Sequence, residues 1–556
     1  MEGKKHLLSV VISVILQLFV VSGAVEVSSG GRKGTWKLLQ QNTGVVAMHM
    51  ALTYRNTVIM FDQTAAGPSQ HRLPRRYNGK RCTRSREDLE DWSCYAHSVE
   101  YDVDGNKLRS LRLDTDPWCS SGSFLSNGTL LQTGGYGSGS KKIRYFNPCS
   151  DHQCNWKQSK QMVCFQSVTP EKDRVIIVGG THGRNAFSYE FVPKLHSSDR
   201  SFNLTFLRNT NDPNARGNNL YPFLHLSSDG NLFIFANRDS ILFNYRRNKV
   251  IKTFPRIPGG GSRNYPSSGS SVILPLDQKD RFQKVVMVCG GGASGAYEAA
   301  ARGTFLKALT SCGRMVISGY RHMWKMENMP GPRIMHDMLV LPTGRILIIN
   351  GAKRGCAGWK NAVSPSLQPY LYNPKKTLGR RFSVLKSTKI ARMYHSSALL
   401  LPNGGVLVAG GNPNNRYTFR NVSYPTELRL QAFIPHYMDR QYHHLRPVNV
   451  SIEYSSNPYR IAYGEEFIVQ FRLERRPIME VEYSVYAPPF TTHSISMNQR
   501  LLKLRSKNTV RDAGGWMTAV LEAPPCPNVA PPGYYLLTVV NGGIPSLSQW
   551  IRFIHA

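Results

Sequence analysis

The chain has 556 residues, 41% of them hydrophobic, and carries 70 Lys and Arg against 35 Asp and Glu, a formal net charge of +35. That length allows two domains with sizeable cores, and that charge predicts polyanionic partners. No stretch beyond residue 24 is apolar for long enough to span a bilayer, so we expect no integral membrane segment.

Residues 1–24 have the pattern of a secretory signal peptide. Lys4 and Lys5 precede an apolar run from Leu7 to Val21, and small residues follow at a cleavage site. We therefore expect a secreted, extracellular protein, with 68 Lys and Arg against 34 Asp and Glu once the signal's two lysines and one glutamate are removed.

Sequons and cysteines agree with the secretory route. Asn-x-Ser/Thr sequons that could carry glycans stand at Asn127, Asn203, Asn421 and Asn449. The chain has ten cysteines, which suits an oxidising compartment. Their spacing predicts three disulfides, which join Cys82 to Cys94, Cys149 to Cys154 and Cys289 to Cys312.

Basic residues concentrate in residues 72–86, 246–256 and 375–389. A secreted protein meets acidic polysaccharide or lipid before nucleic acid, so we expect an acidic polysaccharide as partner and no nucleic acid. A plain solvated basic surface is the alternative.

A strand, a turn, a second strand and a small-residue pair recur through residues 25–435. Units end at Asp62, Gly135, Gly180, Asn237, Gly291, Gly351 and Gly411. From Gly135 onward the units are spaced by about 45 to 60 residues, close to the spacing of kelch-type blades, and the earlier unit ending at Asp62 makes seven blades of a predicted β-propeller.

The pattern changes after that repeat. Residues 436–556 read as short alternating strands separated by turn residues, which predicts a C-terminal immunoglobulin-like β-sandwich. The whole chain is therefore expected to be all-β.

One local motif is set aside. GGGASG, at residues 290–295, matches a dinucleotide fingerprint, but no acidic residue lies between Glu298 and Glu327 to bind a ribose. The chain also lacks the local motifs of zinc and serine hydrolases.

Tyr394 and His395 are adjacent at the head of the hairpin in ARMYHSSALLLPNGGVLVAGG, residues 391–411. Neighbours in a strand face opposite sides of the sheet, so a core position explains at most one of the two rings. We therefore treat the pair as candidate functional residues.

Five stretches carry a resemblance to a known family: DPWCSSGSFLSNGTLLQTGG, FSYEFVPK, RMYHSSALLLPNGGVLVAGGNPN, APPFTTHSISMNQRLLKL and APPGYYLLTVVNGGIPS. On these the chain resembles the glyoxal oxidase and galactose oxidase family of copper radical oxidases, particularly its plant aldehyde oxidase branch. The resemblance implies a propeller followed by a sandwich that sends a loop to the metal.

The resemblance also implies a copper site. Tyr394 would be the axial ligand and proton acceptor, and His395 and His493 the equatorial imidazoles. Cys119 would be the cysteine that a thioether joins to a radical-storing tyrosine. Imidazole and phenolate are suitable Cu(II) ligands.

The expected radical tyrosine is missing. The family has a stretch resembling RWYA where this chain has QMVCFQSV, and Val163 falls at the tyrosine position, followed by Cys164. No tyrosine occurs from Phe146 through Ser188, so a shifted alignment does not supply one.

Three outcomes remain open. Copper binds at the remaining ligands without turnover; Cys119 pairs with Cys164 or lends its thiolate to the metal; or another tyrosine substitutes, with Tyr136 and Tyr189 the nearest in sequence.

Two functions follow. The first is an oxidase that converts aldehydes to carboxylates, or primary alcohols to aldehydes, and reduces O2 to H2O2. The second is a catalytically silent relative that binds acidic glycan such as pectin. In either case we expect the protein in the plant cell wall or apoplast.

Overall fold

The computed structural model describes residues 33–556 except 74–75, 78–79, 82–93, 152, 163–169, 172–173, 183, 197, 455–459, 478 and 556. The predicted signal peptide, Cys82, Val163 and Cys164 lie outside the described residues.

Seven sheets with a core of four antiparallel strands form the propeller, and the all-β prediction is confirmed. We number the sheets as blades in chain order and give their strands from the axis outward. Blades 1 to 4 consist of His49–Leu52, Thr57–Phe61, Ser98–Asp102 and Lys107–Leu111; Ser121–Phe124, Leu130–Thr133, Lys142–Phe146 and Lys157–Met162; Pro170–Glu171, Arg174–Val178, Ser188–Val192 and Phe202–Asn203; and Phe223–Leu226, Leu232–Ala236, Asp239–Asn244 and Lys249–Phe254. Blades 5 to 7 consist of Ser270–Ile273, Val285–Cys289, Ser311–Val316 and Lys325–Asn328; Asp337–Val340, Ile346–Ile349, Tyr370–Tyr372 and Phe382–Val384; and Ser396–Leu400, Val406–Gly410, Leu430–Ile434 and Thr35–Gln40.

The N-terminal strand closes the ring. Thr35–Gln40 pairs with Leu430–Ile434 as the outermost strand of blade 7, with Thr35 opposite Ile434. The first and last parts of the propeller therefore share one sheet and stabilise each other.

Three buried arginines occupy equivalent positions before the innermost strands of blades 5, 6 and 7. The Nη1 atoms of Arg263, Arg333 and Arg392 donate to the carbonyls of Gly290, Asn350 and Gly410, at 2.6, 2.8 and 2.8 Å. Each carbonyl ends or follows the second strand of the same blade. Each arginine thus ties the entry of its blade to the small-residue pair that marks the sequence repeat.

The sandwich consists of two sheets around an apolar core. One sheet has the order Val448–Glu453, Glu466–Arg472, Trp516–Glu522 and Ser506–Arg511. The other has the order Leu276–Asp277, Arg500–Leu504, Glu482–Ala487, Gly533–Asn541, Gln549–Ile554 and Arg460–Ala462, with Ile544–Pro545 beside Gly533–Asn541. Leu276–Asp277 comes from the propeller and pairs in parallel with Arg500–Leu504, which joins the two parts.

A hairpin of the sandwich enters the propeller. Phe490–Thr492 pairs with Ile495–Met497 and also with His49–Leu52, the innermost strand of blade 1. We call Phe490–Met497 the axial hairpin, because it extends that blade's sheet to six strands along the centre of the propeller.

Short elements complete the fold. The α-helices are Thr205–Asn209 and Ala296–Ala301, and the 3-10 helices are Thr64–Ala66, Gly137–Gly139, Pro213–Ala215, His436–Met438 and Arg440–Leu445. Two-stranded hairpins join Arg76–Tyr77 to Lys80–Arg81, Thr181–His182 to Arg184–Asn185, and Ala352–Gly355 to Ala362–Pro365. Within the described residues, no helix combines the length and apolar character needed to cross a membrane.

The structure forms two of the three predicted disulfides, Cys149 to Cys154 and Cys289 to Cys312. Cys94 is also disulfide-bonded, but its predicted partner Cys82 lies outside the described residues. Cys356 and Cys526 are thiols.

Candidate metal centre

Tyr394 and His395 form the turn that leads into the innermost strand of blade 7. The peptide N–H groups of Asn412 and Gly411 donate to their carbonyls, at 2.6 Å for Tyr394 and 3.0 Å for His395. A Cβ on Gly410 would lie 2.5 Å from the His395 carbonyl oxygen. The blade-ending glycines are therefore needed here, because they bring the second strand's end against the Tyr-His backbone.

His493 reaches the same place from the tip of the axial hairpin. Its φ of 48° and that of Ser494, 72°, turn the chain between the hairpin strands. The Ser270 hydroxyl of blade 5 donates to the Ser494 carbonyl at 2.6 Å. On the other side, Thr492 pairs with His49 of blade 1. Contacts with blades 1 and 5 therefore fix the position of the hairpin tip.

The predicted site residues meet at the axis. The Nε2 atoms of His395 and His493 are 3.2 Å apart, and the Cys119 Sγ lies 3.5 Å from the His493 Nε2. The Tyr394 ring stacks on His395 with centroids 3.7 Å apart and lies 5.8 Å from His493. Four residues from three distant parts of the sequence therefore come together at the axis.

The electrostatics favour imidazoles that can bind a metal. Burial lowers the pKa of His493 to about 3. Burial and the nearby imidazoles of His493 and His49 lower the pKa of His395 well below its usual range. Both rings are therefore neutral at ordinary pH, which is the form that coordinates metal ions.

Hydrogen bonding and spacing also fit a shared ion. The His493 Nδ1 lies 2.7 Å from the Thr492 hydroxyl, so when Nδ1–H donates to that oxygen, Nε2 keeps its lone pair. Metal to imidazole distances are about 2 Å, so one ion can contact both Nε2 atoms at their 3.2 Å separation. The donor set therefore fits copper, for which imidazole and phenolate are suitable ligands.

Tyrosine is necessary to this donor set. Among the described residues, no three His, Cys, Asp or Glu side chains are arranged so that they could hold a metal ion by themselves. Burial, with smaller contributions from Tyr265 and Cys119, raises the pKa of Tyr394 well above its usual value. Burial likewise raises the pKa of the Cys119 thiol. The phenolate of Tyr394 is thus favoured only when a cation lies beside it.

The sequence did not predict three other residues at the centre. The Tyr265 hydroxyl lies 3.1 Å from that of Tyr394, and the Tyr221 ring stacks on His493 at 4.9 Å. The His49 ring lies 6.3 Å from that of His493, and its Nε2 is 3.1 Å from the Ser120 hydroxyl.

Blade position was a signal that could have found two of these residues. Cys119, Tyr221 and Tyr394 each stand two residues before the innermost strand of their own blade, and Tyr265 precedes that position in blade 5. Cys119 and Tyr221 have φ of 56° and 54°, in the left-handed region. The segments before the innermost strands of blades 2, 4, 5 and 7 therefore supply side chains to one point on the axis.

The two tyrosines proposed from the sequence as substitutes for the radical tyrosine, Tyr189 and Tyr136, pack against residues outside the predicted ligand set. The Tyr189 hydroxyl donates to the Tyr245 carbonyl at 3.0 Å, in an apolar cluster formed by blades 3 and 4. Tyr136 packs edge-on against Trp118, with centroids 5.0 Å apart, and is 48% exposed. Among the tyrosines at the centre, Tyr265 and Tyr221 have direct contacts with the predicted ligands.

A seven-bladed propeller whose C-terminal sandwich sends a histidine to an axial Tyr-His pair defines a class of proteins. Residues 48–437 match the family model described as glyoxal oxidase N-terminus, and residues 446–553 match the galactose oxidase-like early set domain. The chain belongs to the glyoxal oxidase family, and the resemblance stated from the sequence is confirmed.

Curated relatives and a solved structure agree. The chain is 42% identical over 532 residues to "Aldehyde oxidase GLOX" of Vitis pseudoreticulata, with 94% of this chain and 97% of that protein covered. It is 42% identical over 537 residues to "Aldehyde oxidase GLOX1" of Arabidopsis thaliana, with 94% and 85% covered. A solved fungal alcohol oxidase of the AA5 family, in complex with copper, superposes with a TM-score of 0.67 at 16% identity over 94% of this chain and 100% of that one. At that identity the structural likeness shows the fold alone.

Proposed function

We propose that this chain is a secreted copper-dependent oxidase that converts small aldehydes to carboxylic acids and reduces O2 to H2O2. The convergence of Tyr394, His395 and His493 is the observation that carries the proposal, because these buried side chains match the donor preference of Cu(II). Relatives named as aldehyde oxidases support the oxidase class and point to an aldehyde substrate.

Each residue has a proposed role. His395 and His493 hold the ion through Nε2, Tyr394 binds through its phenolate, and Cys119 lies beside His493. Copper, when bound, supplies a one-electron redox couple. The Tyr394 oxygen accepts the proton that the substrate loses, for which its burial and its place beside the two imidazoles suit it.

The overall reaction balances with dioxygen as the only oxidant. An aldehyde hydrate, RCH(OH)2, gives up two electrons and two protons and becomes RCOOH, and O2 takes them up as H2O2. In the family a tyrosine stores one of those electrons, and this chain has Val163 at that position. Storage of an electron would therefore require another residue of this chain. Val163 lies outside the described residues.

Extracellular location and glycosylation remain part of the proposal. The four sequon asparagines, Asn127, Asn203, Asn421 and Asn449, are all exposed, as sites of glycan attachment must be. The disulfide of Cys289 and Cys312 suits an oxidising compartment, for which we propose the plant cell wall or apoplast.

The test is peroxide release by the copper-loaded, secreted protein across small aldehydes, primary alcohols and sugars. We expect turnover in the wild type and none in His395→Ala. His443→Ala removes an exposed histidine from the 3-10 helix Arg440–Leu445 and is the matched control. Equal activity in His395→Ala would exclude this centre.

Silence of the wild type with copper bound would favour the second candidate, a glycan-binding protein without turnover. Val163→Tyr then tests the reason for silence. Restored peroxide release would show that the missing tyrosine is the defect, and continued silence would place the defect elsewhere.

The charge distribution favours glycan binding, which is compatible with oxidase activity in the same protein. The outermost strands of the blades carry a single carboxylate, Glu327, which accepts from Arg381 at 3.0 Å. The cations on the same strands include Lys37, Lys107, Lys157, Lys249, Lys252 and Lys325, whereas Arg109 pairs with Glu100 of the neighbouring strand. We call these lysines the cationic rim. Lysines on edge strands also prevent strand-to-strand aggregation, so retention on an acidic glycan must be measured directly.

A further inference from the structure

Tyr265 contacts the proposed metal ligand Tyr394 from another blade. Its hydroxyl oxygen lies 3.1 Å from that of Tyr394, and its ring centroid lies 6.0 Å from that of His493. Its own backbone N–H donates to the Leu220 carbonyl at 3.1 Å, which ties the segment before the innermost strand of blade 5 to that of blade 4. The Tyr394 oxygen therefore meets a side chain whose position is set independently of blade 7.

We propose that Tyr265 is a positioning residue of the copper centre, whose hydroxyl donates a hydrogen bond to the metal-bound Tyr394 oxygen. This inference rests on the proposed copper site. Either hydroxyl could donate in the pair as it stands, but a Tyr394 oxygen that binds copper as phenolate has no proton left. Tyr265 must then be the donor, and a hydrogen bond to an anionic oxygen is stronger than one between neutral groups.

The hydrogen bond has a structural consequence for Tyr394. Stacking on His395, at 3.7 Å between centroids, constrains the plane of the Tyr394 ring. The Tyr265 hydroxyl adds a directional contact at the oxygen itself. Donors behind a metal ligand orient it and hold its charge, and their removal typically weakens metal affinity.

Tyr189 offers a matched comparison away from the centre. It is buried in the apolar cluster of blades 3 and 4, and its hydroxyl donates to the Tyr245 carbonyl at 3.0 Å. Replacing either Tyr265 or Tyr189 with phenylalanine keeps the ring and removes one buried hydroxyl, but the Tyr265 change removes a contact with Tyr394.

The experiment is a Cu(II) titration of the metal-free, full-length protein with two readouts: the phenolate-to-copper absorption band and the dissociation constant against a competing chelator. Tyr394→Phe identifies the band by abolishing it. We expect Tyr265→Phe to shift the band to longer wavelength, because the phenolate loses a stabilising hydrogen bond, and to weaken copper binding about 10- to 100-fold. Tyr189→Phe should leave the band in place, because that hydroxyl lies in the cluster of blades 3 and 4.

The outcomes separate the two proposals. A wild-type band and affinity in Tyr265→Phe, with the band still abolished by Tyr394→Phe, would overturn the role of Tyr265 and leave the copper site intact. A wild type that binds no copper would overturn both. A thermal melt of each variant checks the fold, which the retained rings are expected to preserve.

Discussion

Gly122→Ala tests whether the axial hairpin positions the centre. Gly122 lies in the innermost strand of blade 2, and the Phe490 ring packs on its backbone. A Cβ there would lie 2.5 and 2.6 Å from two ring carbons of Phe490, and 2.9 Å from the Leu131 carbonyl oxygen. Phe490 is 1% exposed, so its ring has no open space to move into. The methyl group must push the hairpin that carries His493.

The expected cost is that of overpacking a core, about 1 to 3 kcal/mol. Gly260→Ala is the control, because a Cβ at Gly260 meets nothing within 4 Å and its φ is ordinary. We expect its effect to stay within about 0.5 kcal/mol. A displaced His493 should also weaken copper binding in Gly122→Ala and not in Gly260→Ala.

A second substitution makes the test specific. Phe490→Leu shortens the side chain that the new methyl group meets, and alone it should destabilise by leaving space. In the double variant with Gly122→Ala the two changes compensate, so the loss should be smaller than the sum of the single losses by about 0.5 to 3 kcal/mol. Midpoints of thermal unfolding measure this, and additive losses would refute the packing argument.

Three further predictions follow from the structure. His395→Ala should lose copper binding in equilibrium dialysis, and unchanged stoichiometry would contradict the proposed ligand set. Burial raises the pKa of Asp337 to about 8, so the folded state holds a proton that the unfolded state releases near pH 4. Stability should therefore fall as pH rises from about 4 to about 8, and Asp337→Asn should flatten that slope in melts across pH; an equal slope would contradict the assignment. Retention on polygalacturonate should fall steeply with salt and with Lys249→Gln plus Lys252→Gln, and salt-insensitive retention would count against the cationic rim.

The sequence predicted the propeller because each blade repeats a local code. Two apolar strands flank a tight turn, and a small-residue pair follows where the chain returns to the axis. In blade 7 that pair lies against the His395 carbonyl, and Asn412, the next residue, donates to the Tyr394 carbonyl, so the glycines and the functional pair are parts of one local structure. Local patterns of this kind are visible in a single sequence.

The assembled centre could not be predicted from local patterns. His493 is separated from His395 by 98 residues and reaches it on a hairpin whose strands pair with blade 1. Only the family resemblance suggested their meeting. Tyr265 and Tyr221 lacked even that signal, because a Tyr-Pro pair before a strand is ordinary unless its place in the blade is known.

The residues expected to bind the metal are distinct from the residue expected to store an electron. His395 and His493 are buried neutral imidazoles, fixed by a blade turn and by the axial hairpin. Tyr394, His395 and His493 come together in a chain that has valine at position 163, so their convergence does not require a tyrosine there. Copper binding and peroxide release are consequently independent measurements on this chain, and a protein that binds copper without turnover is physically consistent with the same fold.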